Sequence, residues 1–182
     1  MKEIKQKFDS DFFQKVYEEE DWYGNAAAGR CPGTRLFPLY ERNIEGKVLD
    51  VGCGRGDVVN LLRSKGFEAD GIDQINLDNG MIVGSILEPF EDGKYDTMIC
   101  IDVIEHIEKE YEDILFENLS KSKTQIFAIH NGPSITKGED IHVNKRSWSE
   151  WQEKIETLFE IKRKIRIHAE QYLYVTEPKQ KR

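Results

Sequence analysis

The sequence predicts an α/β protein: a three-layer, doubly wound, mostly parallel sheet closed by a C-terminal antiparallel hairpin. Three observations carry that prediction. Apolar runs of strand length alternate with stretches whose apolar residues recur at helical spacing. The first such run passes through a turn of alternating glycines into a helix, in Val48-Leu49-Asp50-Val51-Gly52-Cys53-Gly54-Arg55-Gly56-Asp57-Val58. The chain then finishes on two period-two runs separated by a turn.

Taken in order, residues 10–20 read as an amphipathic helix capped by Ser10, with Phe12, Phe13, Val16 and Tyr17 at helical spacing. Residues 21–33, from Asp21-Trp22-Tyr23-Gly24 to Pro32-Gly33, are rich in turn formers and read as a long loop. An aromatic pair on such a loop, just before a ligand-binding turn, reads as a lid or substrate wall. The helix from Asp57 stops near Gly66, a natural C′ residue. Residues 67–73 follow as a second strand, a short third centres on Met81 to Gly84, and Met98-Ile99-Cys100-Ile101 is a buried fourth. Tyr111, Ile114, Leu115 and Leu119 mark a helix, and Gln125 to Ile129 a fifth strand. Ser147-Trp148-Ser149-Glu150 is a capping box opening a helix with Trp148, Trp151, Ile155 and Leu158 on one stripe. Phe159, Ile161, Ile165 and Ile167 alternate, as do Leu173 and Val175, with His168 to Glu170 as the turn between them.

A chain of 182 residues with 38% hydrophobic content can bury one substantial core, and no composition shift marks a second. The expected organisation is an N-terminal helix and lid over 1–34, a ligand-binding domain over 35–176 and a basic tail over 177–182. A net charge of −8 disfavours nucleic acid, whose phosphates demand a broad basic surface. Lys162, Arg163, Lys164 and Arg166, with Lys179, Lys181 and Arg182, give a local basic bias that reads as a solvated strand face and tail. Cys31, Cys53 and Cys100 have neither disulfide nor zinc-site spacing. No apolar stretch approaches a membrane span, and a cytoplasmic protein is expected; a homo-oligomer is compatible with all of this.

The glycine turn asks what lies against its bare backbone. A dinucleotide would want Gly-x-Gly-x-x-Gly or Ala, but the sixth position from Gly52 is Asp57. Asp57 and Asp50 would repel a pyrophosphate, whereas they suit a ligand carrying an ammonium and a sulfonium. Asp50-Val51-Gly52-Cys53-Gly54-Arg55-Gly56 resembles the nucleotide loop of class I S-adenosylmethionine-dependent methyltransferases. The resemblance continues in the family's order through Gly71-Ile72-Asp73, Gly84-Ser85-Ile86 and Tyr95 to Ile107, over roughly residues 35–175. It implies the family's seven-stranded sheet with one antiparallel strand, and S-adenosylmethionine as cofactor.

The resemblance also implies roles. Asp73, ending the second strand, would hold both ribose hydroxyls. Ser85 and Ile86 match adenine-contacting positions, with serine standing where relatives often carry aspartate. Arg35 resembles the arginine that holds the methionine carboxylate. Gly52, Cys53, Gly54 and Asp50 would line the cofactor, and Asp102 would face its methyl or amino group. Asp102, Glu105 and His106 would share one face if a helix begins there. This Asp-x-x-Glu-His string resembles quinone-biosynthesis O-methyltransferases, and also small-RNA 2′-O-methyltransferases in which such residues hold a divalent metal; no metal is expected here. His130 and His142 are the candidate bases, and Trp22, Tyr23 and Trp148 the candidate substrate contacts. The expected activity is methyl transfer to an O or N atom of a small molecule. RNA or protein methylation, or a non-catalytic cofactor-binding subunit, are the alternatives.

Overall fold

The computed structural model describes residues 4–21 and 23–180. Its sheet has seven strands: β1 (Val48–Val51), β2 (Ala69–Asp73), β3 (Ile82–Val83), β4 (Thr97–Ile101), β5 (Thr124–His130), β8 (Phe159–His168) and β9 (Gln171–Pro178). A separate two-stranded hairpin holds β6 (Ile135–Thr136) and β7 (Glu139–Asp140). The order across the sheet is β3-β2-β1-β4-β5-β9-β8. All pairs from β3 to β5 are parallel, and β9 alone runs against its neighbours. The predicted fold class is therefore the observed one.

Alternation along the central strands sorts side chains to two faces. Leu49, Val51, Met98, Cys100, Phe127 and Ile129 pack on helices α4 (Glu112–Leu119) and α5 (Trp148–Leu158). Val48, Ile99, Ile126 and Ala128 pack on α2 (Pro32–Tyr40) and α3 (Asp57–Ser64). Both faces are covered, which is why these strands read as continuous apolar runs. The hairpin docks by its second strand: Phe127 opposes Tyr174 in register and stacks on it at 5.5 Å.

Helix α1 (Ser10–Glu19) is one residue displaced in its cap. Asp9 caps it by accepting the Phe12 N–H at 3.0 Å, so Ser10 is the first helical residue and not the cap. The α5 capping box is as expected, with Ser147 and Glu150 reciprocally bonded. The strand β9 reaches Pro178, two residues into the stretch assigned to the tail. All three cysteines are unpaired. Among the described residues no helix is long and apolar enough to cross a membrane.

Candidate active site

From β1 the chain moves to β2 on one side and, later, to β4 on the other. The crevice where the direction reverses lies above the carboxyl ends of β1 and β4, the usual ligand position in such sheets. The glycine turn occupies it. Gly52 and Gly54 have φ of +77° and +48°, in the left-handed region that a side chain disfavours. A Cβ on Gly52 would lie 2.5 Å from Val103 Cγ2, and one on Gly54 2.5 Å from the Tyr17 hydroxyl, so both positions exclude side chains by space as well. The Gly52 and Cys53 N–H groups are tied to the Ile72 carbonyl, fastening the turn to β2.

Two adjoining cavities open beside this turn, both lined by Tyr17, Tyr23, Gly52, Asp102 and His106. The smaller adds Asp73, Gln74 and Ile86. The larger, about 300 Å³, adds Arg35, Asp50, Cys53, Gly54, His130 and His142. Most of the residues singled out in the sequence thus converge. Asp73 Oδ2 accepts the Gly54 N–H at 2.8 Å and Oδ1 the Ile75 N–H at 3.2 Å. Burial raises the Asp73 pKa while those bonds pull it down. Asp50 is 5% exposed, and burial followed by repulsion from Asp73 pushes its carboxyl up to about 7. Ser85 is spent locally, its hydroxyl accepting the Leu87 N–H.

Asp57 does not face the ligand crevice as its place in the turn implied. Its carboxylate accepts the Ala26 N–H at 2.8 Å and so holds the preceding loop. Trp148 likewise stands apart from the cavities. Its indole N–H donates to the Ala169 carbonyl and its ring packs on Tyr172, bracing the hairpin turn. Trp22 lies outside the described residues. Tyr23 lines both cavities and packs edge-on against Tyr17 at 5.1 Å.

Asp102, Glu105 and His106 do not share a helix face. Asp102 is itself left-handed, at φ +56°, and only a single 3₁₀ turn follows, over Ile104–His106. Glu105 is fully buried and turns inward, where Oε1 accepts the His130 N–H at 2.8 Å. It also touches Asp102 side chain to side chain, and burial plus that neighbour drive its pKa well up. Burial disfavours charge on both carboxyls, and the charge of Asp102 opposes ionisation of Glu105. Asp102 in turn accepts from the Gln171 side chain at 3.1 Å, a contact that the sequence did not signal. Among the described residues no cluster of three or more His, Cys, Asp or Glu is arranged to hold a metal ion.

All four histidines of the chain touch in one string. Ring centroids are 4.7 Å apart for His106 and His142, 5.2 Å for His142 and His130, and 5.5 Å for His130 and His168. His142 Nδ1 lies 2.6 Å from the Gly132 carbonyl and His106 Nδ1 3.1 Å from that of Ile141. A carbonyl only accepts, so each Nδ1 carries the hydrogen and each Nε2 the lone pair. Burial lowers His142 to about 4 and His106 to about 3, so both are neutral imidazoles.

The side chain that organises the entrance is Arg55, whose position in the turn was visible but whose role was not. Its Nε donates to the Tyr23 carbonyl at 2.9 Å, and one Nη to those of Tyr17 and Glu20 at 3.0 and 3.2 Å. The guanidinium thereby caps the C-terminus of α1, where unpaired carbonyls favour a cation. Gln14 adds a reciprocal pair of bonds to the Asn76 backbone.

A family model described as a methyltransferase domain matches residues 28–157. The ubiquinone biosynthesis O-methyltransferase of Rickettsia bellii is 36% identical over a region that covers 38% of this chain and 35% of that protein. The chain thus spans about a third of the length of the curated relatives it matches. Among solved structures, the 1,6-didemethyltoxoflavin-N1-methyltransferase of Burkholderia thailandensis, with 1,6-didemethyltoxoflavin and S-adenosylhomocysteine bound, superposes with a TM-score of 0.74. It is 13% identical, with 94% of this chain and 87% of that one covered. The magnesium protoporphyrin IX methyltransferase of Synechocystis, with S-adenosylhomocysteine bound, gives a TM-score of 0.69 at 16% identity, covering 93% and 97%. At such identities these two likenesses speak to the fold.

Proposed function

The chain belongs to the methyltransferase-domain family of class I S-adenosylmethionine-dependent methyltransferases, and from that premise we propose that it transfers the methyl of S-adenosylmethionine to an oxygen or nitrogen of a small molecule. One observation carries the reading: a side-chain-free glycine turn at the sheet's switch point, set against the part-buried carboxylate of Asp73 and opening onto Asp50 and Asp102. The residues fit the cofactor group by group. Asp73 would accept from the ribose, Ile86 would pack on the adenine with Ser85 at its side, and Gly52, Cys53 and Gly54 would leave room for the chain between. Asp50 and Asp102 would face the ammonium and sulfonium, and Arg35 would take the carboxylate, a group its guanidinium is suited to.

The sulfonium is an activated donor, so the protein's task is to align the acceptor and keep water out. Tyr23, which lines both cavities, would form one wall of the acceptor space, and His130 and His142 would take the departing proton. The curated relative matched over part of its length, a ubiquinone biosynthesis O-methyltransferase, supports a small acceptor. The three unpaired thiols accord with a reducing, cytoplasmic setting.

Calorimetric titration with S-adenosylhomocysteine tests the reading. Wild type should bind, and Asp73→Ala should lose about 1.5 to 3 kcal/mol, the worth of hydrogen bonds to a charged acceptor. Absence of binding by wild type, or an Asp73→Ala dissociation constant within about twofold of it, overturns the assignment.

A further inference from the structure

The charge of the site runs against the charge of the chain. The protein as a whole carries −8, yet the larger cavity is lined by the three guanidiniums of Arg30, Arg35 and Arg55 against the two carboxyls of Asp50 and Asp102. The smaller cavity adds only the carboxyl of Asp73. Burial keeps His106 and His142 neutral, so neither ring alters this balance. Burial also raises all three carboxyls, so the negative side reaches its full size only when every one of them has lost its proton.

S-adenosylmethionine carries one carboxylate against an ammonium and a sulfonium, and so brings a net positive charge of its own. With it bound, the site is left with a positive excess even when all three carboxyls are ionised. Pairing the groups shows where that excess lies. Arg55 is engaged with the carbonyls of Tyr17, Glu20 and Tyr23. The charge of Arg35 bears on Asp102, and this is the arginine proposed for the cofactor's carboxylate. Arg30 is the remaining cation, and the cofactor has no second anion to set against it. Arg30 stands on a folded turn: its N–H donates to the Asn25 carbonyl and that of Gly29 to the Ala26 carbonyl, each at 2.9 Å, while the Ala26 N–H is held by Asp57 at the start of α3. Its side chain is exposed at the rim of the cavity. Half-buried Ser134, whose N–H is held by Asp140, adds a hydroxyl to the same lining.

From this balance, and resting on the methyltransferase reading, we infer that the methyl acceptor carries an oxyanion, a carboxylate or a phosphate, which Arg30 holds at the rim of the larger cavity while the nucleophilic atom reaches inward. A guanidinium presents five N–H donors in one plane, so it holds two oxygens of an oxyanion by a fork and still has donors for the protein. A neutral acceptor would leave the excess charge unopposed in a cleft where charges act more strongly than in water, and a cationic acceptor would add to it. The oxyanion is the anchor and not the nucleophile, because Arg30 lies at the exposed rim whereas Asp102, proposed for the cofactor's charged end, lies where the two cavities meet.

The test titrates ¹⁵N-labelled protein, saturated with S-adenosylhomocysteine, with benzoate, phenyl phosphate, benzamide and benzylamine while NMR follows the arginine Nε–H signals. Benzoate or phenyl phosphate should move the Arg30 signal and bind at least about tenfold more tightly than benzamide, the margin expected of a hydrogen bond between charged partners. Added salt should narrow that margin, and benzylamine should bind more weakly than benzamide. Arg30→Gln should erase the margin while its dissociation constant for S-adenosylhomocysteine stays within about twofold of wild type, and Arg30→Lys should restore part of it. The tighter of the two anions identifies the oxyanion. A margin below about threefold, a margin that survives Arg30→Gln, a shift confined to Arg35, or no binding of any of the four up to the solubility limit overturns the inference. Failure of the wild type to bind S-adenosylhomocysteine is a separate result, and sinks the methyltransferase reading instead.

Discussion

Asp50 shows how one residue can be visible in sequence while its chemistry is not. An acid at the end of an apolar run is legible; that it is 5% exposed and titrates near 7 depends on α2 and on Asp73 closing over it. Its folded pKa lies above the unfolded value of about 3.9, so the folded chain holds the proton more tightly. The corresponding stability is fully present below the unfolded pKa and is lost as pH rises through about 7. Above that pH the buried carboxylate calls for a cation, the part proposed above for the cofactor's ammonium. Affinity for S-adenosylhomocysteine is therefore expected to rise between about pH 6 and about pH 8, and Asp50→Asn to flatten that rise. Titration calorimetry across the range checks both, and an unchanged slope in the variant would detach Asp50 from the ammonium.

At the scale of elements, the N-terminal helix and the glycine turn form one mechanical unit. Arg55 binds two carbonyls at the end of α1 and that of Tyr23 in the loop after it, Asp57 holds the loop at Ala26, and Gln14 ties the helix to the loop after β2. The turn proposed to receive the cofactor by its backbone thus holds the N-terminal helix and loop by its side chains. S-adenosylhomocysteine is expected to slow hydrogen exchange over 23–34 and proteolysis near Arg30. In Arg55→Met that protection should be largely lost while the core strands exchange as before. Equal exchange with and without ligand in wild type would mean a cover that never opens. The small hairpin β6 and β7 was not foreseen, since two-residue strands carry no periodicity. Its one local signal is Lys137-Gly138, both at positive φ as a tight two-residue turn requires.

At the scale of the whole molecule, the sheet order decides what the loops can do. Bringing β4 beside β1 sets Asp102 across from the glycine turn, and inserting β9 beside β5 brings Gln171 onto Asp102 and Glu170 onto His130. The same packing turns Glu105 away from His106, one onto the His130 backbone and the other toward the Ile141 carbonyl. Their spacing therefore does not assemble into a ligand set for a cation, which needs several convergent oxygens or nitrogens. Elemental analysis of the purified protein is expected to find no stoichiometric metal, and EDTA to leave its Tm unchanged. A stoichiometric metal that disappears in Glu105→Ala would reverse this.

The sequence by itself determined the class of fold, the place of the glycine turn and the acids at the strand ends, because these are written in short stretches. Three left-handed glycines, an apolar run bounded by turn formers and a reciprocal capping box each act within a few residues of themselves. What only the tertiary structure decided is how distant side chains meet. Asp57 bonds the loop at Ala26, Trp148 packs at the hairpin turn, and four histidines from separate elements fall into one string. Such contacts depend on strand order and helix placement, which the burial of both sheet faces selects for the molecule as a whole. No local spacing encodes them.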